Sequence, residues 1–179
     1  QFLDSTGPAG LASPEWRSTG FGTVLGDFDL DGDLDLALAN GRVKFIDGPS
    51  PPGSSFWEVY GERNQLFGND GTGKFRDLSP ANPAFSGTPG ISRALAAGDL
   101  DEDGDLDLVV TRVAARALLF RNVAARQGNW LGVRATDPAV GGRDAPGALV
   151  AVRAGGRRWA SLLQPGQSYL SSCDPRVHF

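Results

Sequence analysis

Two short stretches of the sequence place an acidic side chain at every second position. Residues 27–35 are DFDLDGDLD and residues 99–107 are DLDEDGDLD. Their aspartates are Asp27, Asp29, Asp31, Asp33 and Asp35 in the first stretch, and Asp99, Asp101, Asp103, Asp105 and Asp107 in the second. Five carboxylates within nine residues repel one another, and neither stretch contains Lys or Arg. A hard divalent cation would offset this repulsion.

Calcium is the cation that this spacing favours. Ca²⁺ takes about six to eight oxygen ligands, which side chains at loop positions 1, 3, 5 and 9 and the carbonyl of position 7 can supply. Gly32 and Gly104 occupy position 6, where the chain must turn sharply. We therefore predict two Ca²⁺ sites. The predicted ligands are the side chains of Asp27, Asp29, Asp31 and Asp35 with the Asp33 carbonyl, and those of Asp99, Asp101, Asp103 and Asp107 with the Asp105 carbonyl.

The elements around these loops distinguish them from an EF-hand. An EF-hand needs a bidentate Glu at position 12 and a helix on each side. Position 12 is Leu38 in the first loop and Val110 in the second, and alternating apolar residues follow each loop with the period of a strand. We predict calcium loops that lead into buried strands over residues 34–38 and 106–110. An acidic, solvated surface loop is the simpler alternative, and the repetition of the pattern disfavours it.

The loops and the residues near them resemble the FG-GAP repeat, also called the VCBS repeat. Residues 64–77, NQLFGNDGTGKFRD, are similar to the N-x-LF-x-N-x-G-x-G-x-F-x-D segment of such repeats. The Phe-Gly pair that names the family occurs at Phe21-Gly22, whereas Arg93-Ala94 stands in the second copy. The resemblance implies β-propeller blades of the kind found in integrin α-subunits, with calcium held in the blade loops.

Internal spacing supports a repeat of about 72 residues. Asp27 and Asp99 are 72 residues apart, and Phe2-Leu3-Asp4 matches Phe75-Arg76-Asp77. Each copy is predicted to contain a Phe-x-Asp strand, a strand into the loop and a strand out of it. Residues 69–73, NDGTG, predict a hairpin turn. A closed propeller needs about four to eight blades, so two copies predict a partial propeller whose other blades are missing or are supplied by a longer chain.

The first copy carries an insertion within about residues 41–62. It includes the run GPSPPGSS at residues 48–55, which predicts an exposed loop. Phe56, Trp57 and Tyr60 follow this run. Either these rings anchor the loop to the blade, or they form the tip of a partner-binding site.

After residue 124 the pattern changes to a second type of segment. Its pieces are NWLGV at residues 129–133, GRDAPGALVAV at 142–152, a Gly155-Gly156 turn into a strand, GQSYLSS at 166–172 and VHF at 177–179. This segment resembles the ASPIC/UnbV module, which follows FG-GAP repeats in cartilage acidic protein and bacterial relatives. Members of that family continue through Gly-Leu-Gly, so we expect the module to be truncated here.

Composition limits the compartment and the partners. The two loops hold 11 of the 21 acidic residues, which leaves ten acidic and 17 basic residues spread over the rest of the chain. No basic stripe indicates nucleic acid, and no apolar run is long enough to span a membrane. The single Cys173 excludes an internal disulfide framework. Because the loops require abundant Ca²⁺, we expect a secreted, extracellular or periplasmic protein.

Catalytic chemistry has little support in this sequence. Cys173 and His178 could form a nucleophile pair, but such a pair needs a third, orienting group. We expect His178 to pack or to form a hydrogen bond instead. The sequence also lacks a glycine-rich phosphate loop before a helix.

These observations together predict an all-β fold, with a partial propeller of two FG-GAP repeats at residues 1–124 and an ASPIC/UnbV module at 125–179. The predicted function is a non-catalytic, calcium-binding extracellular adhesion or binding module with a protein or glycan ligand. The alternative is the non-catalytic part of a larger secreted enzyme.

Overall fold

The first sheet is an antiparallel meander of four strands in chain order. The computed structural model describes residues 1–13, 16–44 and 55–179. The strands of this sheet are β1 (Gly20–Gly26), β2 (Asp35–Asn40), β3 (Gln65–Asn69) and β4 (Phe75–Asp77). Asn69 pairs with Phe75 across the turn, which confirms the predicted hairpin. Leu38 pairs with Gln65, so β2 and β3 are direct neighbours on either side of the insertion.

The second sheet repeats the first in its pairing. Its strands are β5 (Ser92–Gly98), β6 (Asp107–Arg112) and β7 (Leu118–Phe120), in that order. Gly98 pairs with Asp107 as Gly26 pairs with Asp35, and both strand pairs have an irregularity near the start of the first strand. A short helix, α1 (Pro83–Ser86), lies between the two sheets in sequence. None of the helices in the described part of the chain has the length and apolar character needed to cross a bilayer.

The C-terminal part of the chain is made of three two-stranded ribbons. Their strands are β8 (Gly132–Val133) with β13 (Val177–His178), β9 (Thr136–Asp137) with β10 (Arg143–Asp144), and β11 (Leu149–Ala154) with β12 (Arg157–Leu162). Gly155 and Gly156, both with positive φ, join β11 to β12 and confirm the predicted hairpin. The fold is therefore all-β, apart from short helical turns.

The core lies between the two large sheets, and its composition corrects one prediction about β2. From the alternation of Leu34, Leu36 and Leu38 we predicted a buried strand over residues 34–38. Leu34 is instead exposed, the other two leucines are half-buried, and Ala37 and Ala39 face the core. The two sheets pack against each other through opposite faces. Strand β2 buries the face that carries Ala37 and Ala39, whereas β6 buries the face that carries Leu108 and Val110, the counterparts of Leu36 and Leu38. The core residues of the second sheet are Leu95, Leu108 and Val110.

The N-terminal Phe-x-Asp segment is a second correction. Phe2, Leu3 and Asp4 form no strand, and the side chains of Phe2 and Leu3 are fully exposed. Phe75-Arg76-Asp77 is extended because it pairs with β3, whereas no described strand lies beside residues 2–4. The predicted loop at residues 48–55 falls outside the described residues except for Ser55.

Candidate metal centre

The two acidic loops, residues 27–35 between β1 and β2 and residues 99–107 between β5 and β6, share an unusual backbone. Position 6 is left-handed in both, with φ of 91° at Gly32 and 94° at Gly104. Position 4 is also left-handed, with φ of 61° at Leu30 and 60° at Glu102. Non-glycine residues rarely adopt this conformation. The same pair of turns in both copies shows that the loops are structural equivalents.

In the first loop, three carboxylates converge. Asp27, Asp29 and Asp35 each offer an oxygen, and these oxygens lie within 4.8 Å of one another. Asp27 accepts hydrogen bonds from the backbone N–H groups of Asp31, at 3.1 Å, and Gly32, at 2.9 Å. The Oδ1 atom of Asp29 is buried and has no hydrogen-bond partner among the described residues. An unpaired buried carboxylate oxygen is costly, so this geometry suits a bound cation.

In the second loop, the converging carboxylates stand at slightly different loop positions. Asp99, Asp101 and Asp103 offer oxygens within 4.8 Å of one another. The Oδ2 atom of Asp99 accepts a hydrogen bond from the Gly104 N–H at 3.2 Å. Its Oδ1 atom is buried and also lacks a partner within the described ranges, and Asp99 as a whole is 6% exposed. Each loop thus presents one buried, unpaired carboxylate oxygen beside two further carboxylates.

The last aspartate of each loop joins the loop to the neighbouring strands. Asp35 accepts hydrogen bonds from the Phe28 N–H at 3.1 Å and the Asn69 N–H at 2.9 Å. Asp107 accepts them from Leu100 at 3.2 Å and from Asn122 at 2.8 Å. Asn69 and Asn122 end two LF-x-N segments, LFGN at residues 66–69 and LFRN at 119–122, and each closes its loop through the backbone. The sequence analysis missed this role, although the recurrence of LF-x-N after both loops was the available signal.

Four predicted ligands lie outside the two convergent groups: Asp31, Asp33, Asp105 and Asp107. Asp31 accepts a hydrogen bond from the Asp33 N–H at 2.8 Å. The carboxylate of Asp33 lies 3.6 Å from Arg157. Asp105 accepts from Arg126 at 3.0 Å.

Arginines from outside the loops were the main omission of the sequence analysis. Arg121 pairs with Asp101 at 2.6 Å and with Asp103 at 3.2 Å. Arg126 pairs with Asp105 and also donates to the Asp103 carbonyl at 2.6 Å. The second loop is thus partly neutralised by the chain itself. The available signal was that Arg121 stands inside the LF-x-N segment that closes this loop.

The pKa values of the carboxylates differ accordingly. Burial raises the pKa of Asp35 to about 6, and burial also raises the pKa of Asp27, with the charge of Asp31 adding to the effect. In the second loop the pKa of Asp103 is lowered, first by the hydrogen bond from the Asp105 N–H and then by Arg121. Ionisation of the buried carboxylates in the first loop therefore costs free energy, and a bound cation would offset this cost.

Comparisons with known proteins agree with this arrangement. The FG-GAP-like repeat model matches residues 39–110, and the ASPIC and UnbV model matches residues 140–179. This chain is thus similar to FG-GAP repeat proteins and, at its C-terminal end, to the ASPIC and UnbV family. A curated relative, cartilage acidic protein 1 from Mus musculus, is 30% identical over 134 residues, which are 73% of this chain. The chain spans only 18% of the length of that relative.

The match to the FG-GAP-like repeat includes the second acidic loop, and the first loop precedes it. In the ASPIC/UnbV module, His178 forms a hydrogen bond with the Gly104 carbonyl and stacks on Trp130, which confirms the bonding and packing role predicted for it. The Sγ atom of Cys173 accepts a hydrogen bond from the Ala97 N–H at 3.4 Å.

Proposed function

We propose that this chain is a calcium-dependent module of an extracellular binding or adhesion protein. The observation that carries the proposal is the buried, unpaired Oδ1 atom of Asp29 in one loop and of Asp99 in the other. Each of these atoms stands among carboxylates whose backbone is the same in both loops. Oxygen atoms of aspartate suit Ca²⁺, which accepts flexible coordination by carboxylates, carbonyls and water.

The residues that would hold the ions are the aspartates of the two loops. Asp27, Asp29 and Asp35 would hold the first ion, and Asp99, Asp101 and Asp103 the second. The remaining predicted groups, Asp31, Asp107 and the carbonyls of Asp33 and Asp105, stay candidates to complete the coordination. A bound ion would supply positive charge, and its role would be structural: it would hold each loop in one conformation at the end of its sheet.

The binding partner is a further part of this proposal. A protein or glycan ligand is the class we favour, at an extracellular or periplasmic location, without a catalytic role for this chain. The remaining blades would come from a longer chain, since the curated relative is far longer than the matched region.

Calorimetric titration of the calcium-free protein with Ca²⁺ tests the function directly. We expect a stoichiometry near two. Asp29→Asn should remove one site, because it takes away the charge of a convergent carboxylate while it keeps the shape of the side chain. Asp4→Asn is the matched control, since Asp4 is exposed, lies outside both loops and accepts a hydrogen bond from the nearby Thr6 N–H. At calcium concentrations of about 100 times Kd, each site should stabilise the fold by about 2.7 kcal/mol.

A flat titration of the wild-type protein would refute the calcium function. An equal loss of calcium binding in Asp29→Asn and Asp4→Asn would also count against the calcium function. Binding would then depend on the net charge of the protein and not on the loop.

A further inference from the structure

The C-terminal module contacts the first acidic loop at its position 6. Trp159 on β12 donates its indole N–H to the Gly32 carbonyl at 3.2 Å. Arg157, on the same strand, lies 3.6 Å from the carboxylate of Asp33. Gln127 donates its backbone N–H to the Asp29 carbonyl at 2.8 Å, and its side-chain amide donates to the Asp29 carboxylate. The C-terminal module, residues 125–179, therefore binds the backbone of this loop through hydrogen bonds to two of its carbonyl groups.

The same module contacts the second loop at the equivalent position. The Nε2 atom of His178 lies 2.7 Å from the Gly104 carbonyl. A carbonyl only accepts, so Nε2 carries the proton. Trp130 stacks on the His178 ring, with ring centroids 6.2 Å apart, and covers Gly104 so closely that a Cβ atom there would collide with the indole ring. Arg176 donates to the Asp99 carbonyl at 2.9 Å.

We propose that the two acidic loops are the docking surface of the C-terminal module, and that Trp159 and His178 are positioning residues that link docking to calcium occupancy. The proposal rests on the calcium function proposed above and extends it to the arrangement of the two parts of the chain. Two ring N–H groups, from different strands of the module, bond the carbonyl of the same loop position in two repeats. Such matched contacts require both loops to have the same, fixed backbone.

The link follows from the position of these carbonyls in the loop. The position 6 carbonyl is not among the predicted ligands, so the module and the ion do not compete for it. An ion that fixes the loop also fixes the direction of this carbonyl and favours the bond to the ring. By thermodynamic reciprocity, a docked module raises calcium affinity by the same factor by which calcium strengthens docking.

Two ring substitutions test the proposal by calorimetry with Ca²⁺. Trp159→Phe and His178→Phe each keep an aromatic ring and remove the N–H donor. Each is titrated in a background that retains only the loop it touches, Asp101→Asn for Trp159→Phe and Asp29→Asn for His178→Phe. Calcium affinity should fall about threefold to tenfold, the effect of one lost hydrogen bond. Trp57→Phe is the matched control, because Trp57 contacts Phe56 and Tyr60, away from both loops.

Hydrogen exchange of the same proteins gives an independent readout. Calcium should slow exchange in residues 126–134 and 157–163 of the wild-type protein, and less so in the two variants, while circular dichroism checks that each variant is folded. Absence of calcium binding in the wild type would refute the calcium function itself. Normal calcium binding, with unchanged affinity in both variants and slowed exchange confined to the loops, would overturn the docking proposal alone.

Discussion

At the scale of single residues, Asp35 and Asp103 show how differently one motif can be charged. Asp35 is buried at the start of β2 and has a pKa raised to about 6, mainly by burial. The pKa of Asp103 is lowered, first by the hydrogen bond from the Asp105 N–H and then by Arg121 and Arg126. Asp35 is position 9 of the first loop, and Asp103 is position 5 of the second. Burial and the two arginines depend on residues outside the loops, so their effects on the pKa values could not be predicted from the spacing.

The raised pKa of Asp35 gives the calcium-free protein a specific pH dependence. Its folded value of about 6 exceeds the ordinary 3.8, so the stability it contributes is full below about pH 4 and is lost as the pH rises through 6. In calcium-free buffer, the melting temperature should fall by a few degrees between pH 5 and pH 7.5. In millimolar calcium the trend should reverse, because protons and Ca²⁺ compete for the same carboxylates.

Thermal melting of Asp35→Asn provides the control for this prediction. The variant lacks the titrating group, so its melting temperature in calcium-free buffer should change much less over the same pH range. A slope as steep as that of the wild type would show that another group is responsible.

At the scale of secondary-structure elements, Gly22 explains why a Phe-Gly pair stands in the first repeat. A Cβ atom at Gly22 would lie 2.5 Å from the Leu95 backbone N and 2.9 Å from the Arg93 carbonyl. Strands β1 and β5 therefore approach too closely for any side chain there. Arg93 also stacks over the Phe21 ring at 4.1 Å. The pair marks a contact between two sheets, which a single repeat cannot reveal.

Replacement of Gly22 tests this close approach. Gly22→Ala should destabilise the protein by about 1–3 kcal/mol, because the new methyl group has no room between the two sheets. Gly7→Ala is the matched control, since nothing lies within 4 Å of the added Cβ atom. Denaturant unfolding measures both. Equal stability of the two variants would contradict the packing described for β1 and β5.

The strands also show which parts of the fold follow from sequence. Alternation of apolar residues was enough to predict β2 and β6, and the glycine pair was enough to predict the β11–β12 hairpin. Alternation could not show which face is buried, because both faces of β2 are apolar: Leu36 and Leu38 on one, Ala37 and Ala39 on the other. Packing against a neighbouring sheet decides this, and such packing leaves no local signal.

At the scale of the whole molecule, β2 and β3 pair directly although an insertion separates them in sequence. On the described part of this insertion, the Tyr60 carbonyl accepts a hydrogen bond from the Arg42 N–H. Phe56 and Trp57 pack on each other, at 4.9 Å between ring centroids, while 70% and 46% of their surfaces are exposed. Much of the surface of both rings is therefore exposed to solvent.

Deletion of residues 48–55 should leave the melting temperature and the calcium stoichiometry unchanged, because loop length has a weak effect on stability. A variant with a Gly/Ser segment of equal length controls for composition. Loss of ligand binding with retained folding would assign the segment to partner recognition. A large drop in melting temperature would instead show that residues 48–55 anchor the blade.

The apolar character of both strand faces has a consequence for strand alignment. In most sheets, a slip of one residue moves the apolar face into solvent and is strongly penalised. In β2 such a slip buries the leucine face in place of the alanine face. Burial of apolar side chains therefore penalises the slipped alignment only weakly. Alignment must then come from a fixed reference at the strand end. Asp35 and Asp107 provide one, because each accepts a backbone N–H from one fixed position at the end of the adjacent strand, from Asn69 in β3 or from Asn122 just after β7.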